Sequence, residues 1–370
     1  MPEPISIPSV EELSDLSGKR VLLRADFNTP SVSGVLKDTL RIDAVLPTLK
    51  LLLARGARVI LISHADGGSS LSAVADYLNQ HLPVAFVREP KDISFDPHSV
   101  VLLENLRFSP QEEANDAGFA RELASLADAY VNEAFSASHR AHASIVGVPK
   151  HLPGYAGLRF LTEIRELSAA LSPEHPFLFI LGGAKVATKE PVLRKFLKSA
   201  DSVFVGGVLA NDFLTAKGYP VGRSTLSDVP PDPELVAHPR VLLPEDLIVE
   251  GGEAGRRVAI TADVGAGESI VDIGPETARL LEERIKEARL VLWNGPLGLY
   301  ERGYTEGSLR VGEAMALSSA RTILGGGDTL SVLPKDVERG ISFISTGGGA
   351  MLHFLSEETL PGIEALRRSA

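Results

Sequence analysis

Short apolar runs recur along the chain, spaced so that a helix fits between neighbours. They are RVLLRADF (20–27), RVILISH (58–64), SVVLLEN (99–105), AYVNEAF (129–135) and FLFILGG (177–183), then SVFVGG (202–207), RVAITAD (257–263), LVLWNGP (290–296), TILGGGD (322–328) and ISFISTGGG (341–349). The apolar residues are continuous rather than alternating, which predicts strands buried on both faces of a parallel sheet. Between strands the period lengthens: over residues 38–55, Ile42, Val45, Leu46, Leu49, Leu52 and Leu53 recur at helical spacing, and Gly56 supplies a stop. Pro47 inside this pattern predicts a kink or the true helix start. Regular strand–helix alternation gives an α/β fold with right-handed crossovers. The pattern breaks once, at PKHLPGYAG (149–157), and a helical segment follows over 158–171. The expected organisation is a first domain over 1–155, a connecting helix over 156–172, a second domain over 173–350 and a tail over 351–370.

Composition supports two cores rather than one. The chain has 370 residues, 44% apolar and 23% charged, more than a single core ordinarily supports. The formal charge is −11, so anions must be met by local clusters of Arg, Lys and backbone N–H groups. A broad nucleic-acid surface is not expected. There are no cysteines, which removes disulfides, thiolate chemistry and Cys-based zinc sites. No signal peptide and no membrane span are read from the sequence, and a cytoplasmic location is the expectation.

The second half concentrates glycine at the carboxyl ends of strands: GGAK (182–185), Gly206–Gly207, NGP (294–296), GGGD (325–328) and TGGG (346–349). Open α/β sheets bind ligands at those ends, where glycine lets backbone N–H groups approach a phosphate and a helix N-terminus favours negative charge. Each alone reads as a tight turn; together they predict a nucleotide cleft. Neither GxxxxGK[ST] nor GxGxxG is present, which argues against a P-loop enzyme and an NAD-dependent dehydrogenase. Lys185 and Lys189, four apart at the start of a helix, oppose both each other and the helix dipole. Either an anion compensates them or they point into solvent. Asp328 suits Mg²⁺, which takes one or two carboxylates together with substrate phosphates, but it also suits a helix N-cap. In the first half, Arg24, Asp26, Asn28, Arg41, His64, Arg107, His139, Arg140 and His142 stand near strand ends. Gathered in a parallel sheet, the arginines form one anion pocket. The HRAH segment lacks the partners expected of a metal site.

Taken together, these motifs resemble the phosphoglycerate kinase family over nearly the whole chain. RADFNTP (24–30) is similar to the family's Arg-x-Asp-Phe-Asn-x-Pro, and LLENLRF, YVNEAFSASHRAHAS, GGAKVATK, DIGPET, WNGPLGLYE, GGGDT and STGGGA follow in order. The resemblance implies two doubly wound parallel-sheet domains joined by a hinge helix, with the tail returning to the first domain. It implies that the first domain holds 3-phosphoglycerate or 1,3-bisphosphoglycerate through Arg24, Asp26, Asn28, Arg41, His64, Arg107, Arg140 and His142. The second would hold ADP or ATP with Mg²⁺ through Gly183, Ala184, Lys185, Lys189, Gly206, Gly207, Asn294, Pro296, Glu301, Gly327, Asp328 and Thr329, with Asp328 toward the metal. Arg41, Lys185, Gly348 and Gly349 would stabilise the transferring phosphoryl group, and a monomer closing about its hinge would suffice.

The sequence departs from that pattern in one loop. Where the family has His-Leu-Gly-Arg-Pro, this chain has His64-Ala65-Asp66-Gly67-Gly68, so an arginine expected on the phosphoglycerate is Gly67, and Asp66 would repel the anion. Ser136 and Val208 replace two further glycines. Two rival readings follow: a kinase of the same fold for another carboxylic acid, and a non-catalytic nucleotide-binding protein.

Overall fold

A computed structural model describes residues 6–29, 31–32, 35–184, 186–252 and 255–369. The chain packs as two compact units, Met1–Arg165 with Glu357–Ala370 and Glu166–Ser356.

The first unit is built on β1 (Arg20–Arg24), β2 (Arg58–Ile62), β3 (Ala85–Val87), β4 (Val100–Leu103), β5 (Ala129–Asn132) and β6 (Gly154–Ala156). They form one sheet in the order β3-β4-β2-β1-β5-β6, with every pairing parallel. Helices α1 (Leu40–Ala54), α2 (Ser72–Leu78) and α3 (Ala117–Ser125) cover it, and α4 (Leu158–Leu171) leaves it. Val21, Leu23, Val59, Leu61, Val100 and Leu102 pack on one face with Ile42, Leu49 and Leu52 of α1. Leu22, Ile60, Val101 and Tyr130 are equally buried. Both faces are covered, which is why these strands read as unbroken apolar runs. Helix α1 begins at Leu40 and continues past Pro47, whose exposed ring faces solvent. Pro47 is therefore not the helix start.

The N-terminus of α4 is held from below. The buried Glu133 carboxylate accepts from Arg159 N (3.0 Å) and Phe160 N (3.1 Å), while Thr48 Oγ1 accepts from Leu158 N (2.9 Å) and donates to Glu133. Two otherwise orphaned helix donors are satisfied by one carboxylate. Burial nevertheless pushes the Glu133 carboxyl up to about 7. Gly157 is required here, because any Cβ would collide with the Glu133 carboxylate.

The second unit is built on β7 (Phe177–Leu181), β8 (Ser202–Val205), β9 (Val241–Leu242), β10 (Asp246–Gly251), β11 (Gly255–Ile260), β12 (Glu268–Ile273), β13 (Leu290–Asn294), β14 (Arg321–Gly325) and β15 (Phe343–Ser345). The main sheet runs β9-β8-β7-β13-β14-β15, again all parallel. Helices α5 (Val186–Phe196), α6 (Gly207–Ala216), α7 (Pro275–Glu287), α8 (Glu306–Leu317), α9 (Gly327–Ser331) and α10 (Gly349–Glu357) surround it. Strands β10, β11 and β12 form a separate antiparallel sheet. The run at 257–263 thus corrects the parallel-strand expectation: β11 spans Gly255–Ile260, is antiparallel to β10, and exposes Val258 and Ile260.

The last helix, α11 (Pro361–Ser369), belongs to the first unit. Gly362 N donates to Ser138 O (2.9 Å), and Leu366 and Ser369 leave no room for a Cβ on Gly154 of β6. In each main sheet the strand order reverses once, between β1 and β5 and between β7 and β13. Such reversals open a crevice at the carboxyl ends of the strands, and the candidate residues of each unit collect there.

Candidate functional site

In the first unit, Arg24 ends β1, Asp26 and Asn28 follow it, and His64 stands two residues beyond β2. Arg107 sits in the 3-10 turn Leu106–Phe108 after β4, and Arg41 in the first turn of α1. Arg41 Nη1 donates to Asp26 Oδ2 (3.0 Å) and to the Asn28 carbonyl (3.1 Å). Asn28 N donates to Asp26 Oδ1 (2.9 Å), and the Ser136 hydroxyl donates to Asp26 Oδ2. Burial alone would raise the Asp26 carboxyl, but Arg41, His64 and these donors outweigh it and hold it below the usual carboxylate range. Asp26 is therefore ionised, and it orients Arg41. The Ser136 hydroxyl, standing where the family pattern has glycine, is part of that support.

Arg24 lies lower. Its side chain is fully buried and donates to Ser144 Oγ (2.7 Å) and Ala25 O, approaches His64 Nδ1 at 3.2 Å and pairs with the equally buried Glu112 at 3.9 Å. A guanidinium has donors only, so His64 Nδ1 accepts and the ring proton resides on Nε2. Burial and the Arg24 charge lower the His64 imidazole to about 3. Arg107 and Arg140 also act on His64, and both act on His142, whose imidazole is lowered chiefly by burial. Arg41, Arg107 and Arg140 therefore supply the positive charge around the neutral imidazoles of His64 and His142, with Arg24 as the floor beneath them. His64 is expected to stay neutral, with its proton on Nε2, between about pH 5 and pH 8. The unfolded imidazole binds a proton below its ordinary 6.5 while the folded one does not until about 3. His64 thus costs stability progressively as pH falls through that window. An NMR titration of the His64 ring checks this; a midpoint above about 6 breaks it.

In the second unit the glycine turns knit to one another. Gly182 N donates to Asn294 O (2.9 Å), Gly183 N to Pro296 O (2.7 Å) and Leu209 N to Gly183 O (2.9 Å). Gly207 has φ +62°, and a Cβ there would lie 2.5 Å from Gly183 N. The N–H of Gly183 is thus spent on Pro296, and glycine at 207 serves the close approach of two turns. Gly206 caps α6, Ala184 is exposed, and Asn294 ends β13 with its side chain toward Met351.

Lys189 is buried. Its ammonium folds back to the Gly182 carbonyl, 3.1 Å from where a Gly183 Cβ would stand. Burial lowers it to about 8, against the pull of Asp328. It does not point into solvent, so one of the two lysine alternatives is resolved. Lys185 lies outside the described residues.

Asp328 is exposed in the first turn of α9, whose N-cap is Gly326, and no side chain caps that helix. Its carboxylate is therefore free of the capping role that competed with metal binding. The Tyr300 hydroxyl is pushed up by burial and by bonds to Asp328 and Glu301, so these three groups adjoin. Thr329 is buried beside Asp328, and its hydroxyl accepts from Gly295 N (2.9 Å). Gly327 is exposed at the start of α9, and Gly348 (φ +53°) with Gly349 opens α10. Helices α5, α6, α9 and α10 all start at carboxyl ends of strands in this sheet. Among the described residues no group of three or more His, Cys, Asp or Glu could hold a metal alone. Asp328 therefore fits an Mg²⁺ that brings its remaining ligands with a phosphate-bearing substrate.

The phosphoglycerate kinase family model matches residues 10–358. The chain belongs to the phosphoglycerate kinase family. Relatives named phosphoglycerate kinase include one from Moorella thermoacetica, 44% identical over 381 residues, covering 95% of this chain and 97% of the relative. One from Roseiflexus sp. is 40% identical over 383 residues, covering 95% and 97%. The phosphoglycerate kinase structure from Coxiella burnetii superposes with a TM-score of 0.83 at 34% identity over 98% of this chain and 99% of that one. That from Pyrococcus horikoshii gives 0.84 at 29% identity, covering 98% and 99%. Membership makes this chain a phosphotransferase of two parallel-sheet α/β units, and glycolysis is the setting of the family.

Sequence reasoning did not find the support beneath the phosphoglycerate kinase motifs. Glu112 and Ser144 hold Arg24, Ser136 holds Asp26, and Tyr300 adjoins Asp328. Each pair is distant in sequence and carries no local signal. The one available cue was Arg24 directly after the apolar run Val21–Leu23 in RVLLRADF, since a charge carried into a buried strand requires a partner.

Proposed function

We propose that the chain catalyses reversible Mg²⁺-dependent transfer of the acyl phosphoryl group of 1,3-bisphosphoglycerate to ADP, giving 3-phosphoglycerate and ATP. One observation supports the site assignment: in each unit the described motif residues lie in turns and helix starts that follow the carboxyl ends of the parallel strands. Asp26, Asn28, Arg41, His64, Arg107, Arg140 and His142 make up the phosphoglycerate pocket, with Arg24 supporting it from below. Gly183, Ala184, Lys185, Lys189, Gly206, Gly207, Asn294, Pro296, Glu301, Gly327, Asp328 and Thr329 make up the nucleotide site. Asp328 would hold Mg²⁺, which supplies neutralisation of phosphate charge when bound.

The chemistry needs no general base. The attacking group is an ADP phosphate oxygen or, in reverse, a carboxylate, each already anionic. Catalysis reduces to in-line positioning and stabilisation of charge on the transferring group. Arg41, Lys185 and the N–H groups at Gly348 and Gly349 are the donors for it. They come from both units, so hinge bending belongs to the reading, and closure excludes the water that would hydrolyse an acyl phosphate. Both substrate sites are assigned within one chain, so a monomer is proposed, and the glycolytic setting of the family supports a cytoplasmic location.

The test is ATP formation from 1,3-bisphosphoglycerate and Mg·ADP by the purified protein. Turnover at ordinary kinase rates, ~1–100 s⁻¹ or faster, supports the reading. A folded protein that binds Mg·ADP and shows no turnover with this acyl phosphate overturns it.

A further inference from the structure

In sequence the departure at His64–Gly68 is a lost arginine, but its geometry is that of a gained carboxylate. Asp66 pairs through Oδ1 with Arg107 Nη1. Its Oδ2 accepts from Asn28 Nδ2 (2.7 Å), and its backbone N donates to Asn28 Oδ1 (3.0 Å). Two of the donors a phosphoglycerate requires, the Arg107 fork and the Asn28 amide, are therefore already occupied by an anion of the chain itself. Arg107 Nε lies 3.1 Å from Glu113 on its other side, so its charge is shared between two carboxylates.

The turn that carries Asp66 runs through two left-handed glycines. Gly67 and Gly68 have φ of +67° and +68°, and no atom lies within 4 Å of a Cβ at either. An arginine at Gly67 would be strained by the backbone, so the turn in this conformation calls for glycine there. The Asp66 side chain is 59% exposed while that of Arg107 is 13% exposed. The carboxylate reaches its partner from the solvent side, along the direction from which a dissolved anion arrives.

We propose that Asp66 is an internal competitor that an incoming anion displaces, and that it sets both the affinity and the selectivity of the first unit's pocket. The exchange is carboxylate for ligand, so a singly charged acid gains little by it. A phosphate-bearing acid brings more charge and more acceptor oxygens to Arg107 and Asn28 and displaces Asp66 effectively. Asp66 thus discriminates for phosphorylated acids. The proposal rests on the reading of this pocket as the phosphoglycerate site only for the identity of the ligand.

The experiment compares wild type with Asp66→Asn and Asp66→Ala in the full chain. Calorimetry gives Kd for inorganic sulfate and for 3-phosphoglycerate, and steady-state kinetics give KM for each substrate. Both variants are expected to bind sulfate and 3-phosphoglycerate more tightly, Asp66→Ala by about five-fold, the equivalent of one partly exposed charge pair. KM for ATP and kcat should stay within about two-fold. Asp66→Asn should gain less than Asp66→Ala, since its amide still bonds to Asn28. A merely structural Asp66 would leave both affinities unchanged or weaker in the two variants, and that result overturns the proposal. Tighter sulfate binding without any binding or turnover of 3-phosphoglycerate in all three proteins supports the competitor and sinks the substrate reading. Turnover with the same 3-phosphoglycerate KM and sulfate affinity in all three does the reverse.

Discussion

Arg41→Ala is expected to lower kcat by roughly two to three orders of magnitude, the range found when one preorganised donor to a transition state is deleted. The side chain is ready for that role before substrate arrives. Asp26 and the Asn28 carbonyl both accept from Nη1 of the guanidinium, at 3.0 and 3.1 Å, and the side chain remains 28% exposed. Its remaining N–H groups are thus available in a fixed orientation, which is what makes a donor effective without reorganisation. Charge on the transferring phosphoryl group is largest in the transition state, so the loss should fall on kcat more than on KM. Arg41→Lys is not expected to restore it, because a single ammonium cannot bond Asp26 and the phosphoryl group with the same planar fork. Arg41→Ala also leaves the buried Asp26 carboxylate without its guanidinium partner, so the melting transition should fall as well, and kcat is compared well below it. Steady-state kinetics beside thermal unfolding check this. A loss below about ten-fold in kcat with intact folding would remove Arg41 from the reaction.

The architecture was legible wherever burial was two-sided. RVLLRADF, RVILISH, FLFILGG and LVLWNGP became the central strands β1, β2, β7 and β13, because strands covered on both faces have no polar positions to interrupt them. The helix at 158–171 was read with its bounds as α4. What stayed hidden was short or interrupted by acidic residues. Ala85–Val87, Gly154–Ala156 and Val241–Leu242 are too brief to carry a period. Asp246–Gly251 and Glu268–Ile273 mix acidic with apolar residues because Asp246, Glu268 and Asp272 are buried on partners remote in sequence, Thr277 N (2.7 Å), Arg257 Nε (2.7 Å) and Gly307 N (3.1 Å). The site divides the same way. Lys189 was visible because a cation opening a helix breaks a local rule. The Asp66–Arg107 pair was not, because the residues are 41 positions apart and only the folded sheet brings the ends of β2 and β4 together. Glu133 beneath α4 was invisible for the same reason, since its partners Thr48 and Phe160 lie on either side of it in sequence at long range.

Glu112→Ala is expected to be the most destabilising of the substitutions considered, by about 3–5 kcal/mol. Arg24 and Glu112 both have side chains without any solvent exposure. Ser144 joins them: its N and Oγ donate to Glu112 Oε2 and Oε1 at 2.9 and 2.5 Å, while Arg24 Nε donates to its hydroxyl at 2.7 Å. Deleting the carboxylate leaves a guanidinium, which cannot shed its proton, uncompensated in a dry interior. Glu112→Gln keeps one acceptor oxygen for Ser144 but loses the second oxygen and the charge, and should fall between. The double variant Arg24→Met/Glu112→Leu should recover much of the loss, because the cost lies in the broken pair rather than in its absence. His64 supplies a second readout. Its Nδ1 accepts from Arg24, so the double variant removes both a lowering charge and the bond that fixes the tautomer, and the His64 midpoint should rise. Trp293, the chain's single tryptophan, is buried in the core of the second unit. Its fluorescence reports there, so urea unfolding is followed by far-UV circular dichroism as well, and the shift is expected in the dichroism transition. A shift under about 1 kcal/mol for Glu112→Ala would mean that the ion pair contributes nothing to holding the floor of the pocket.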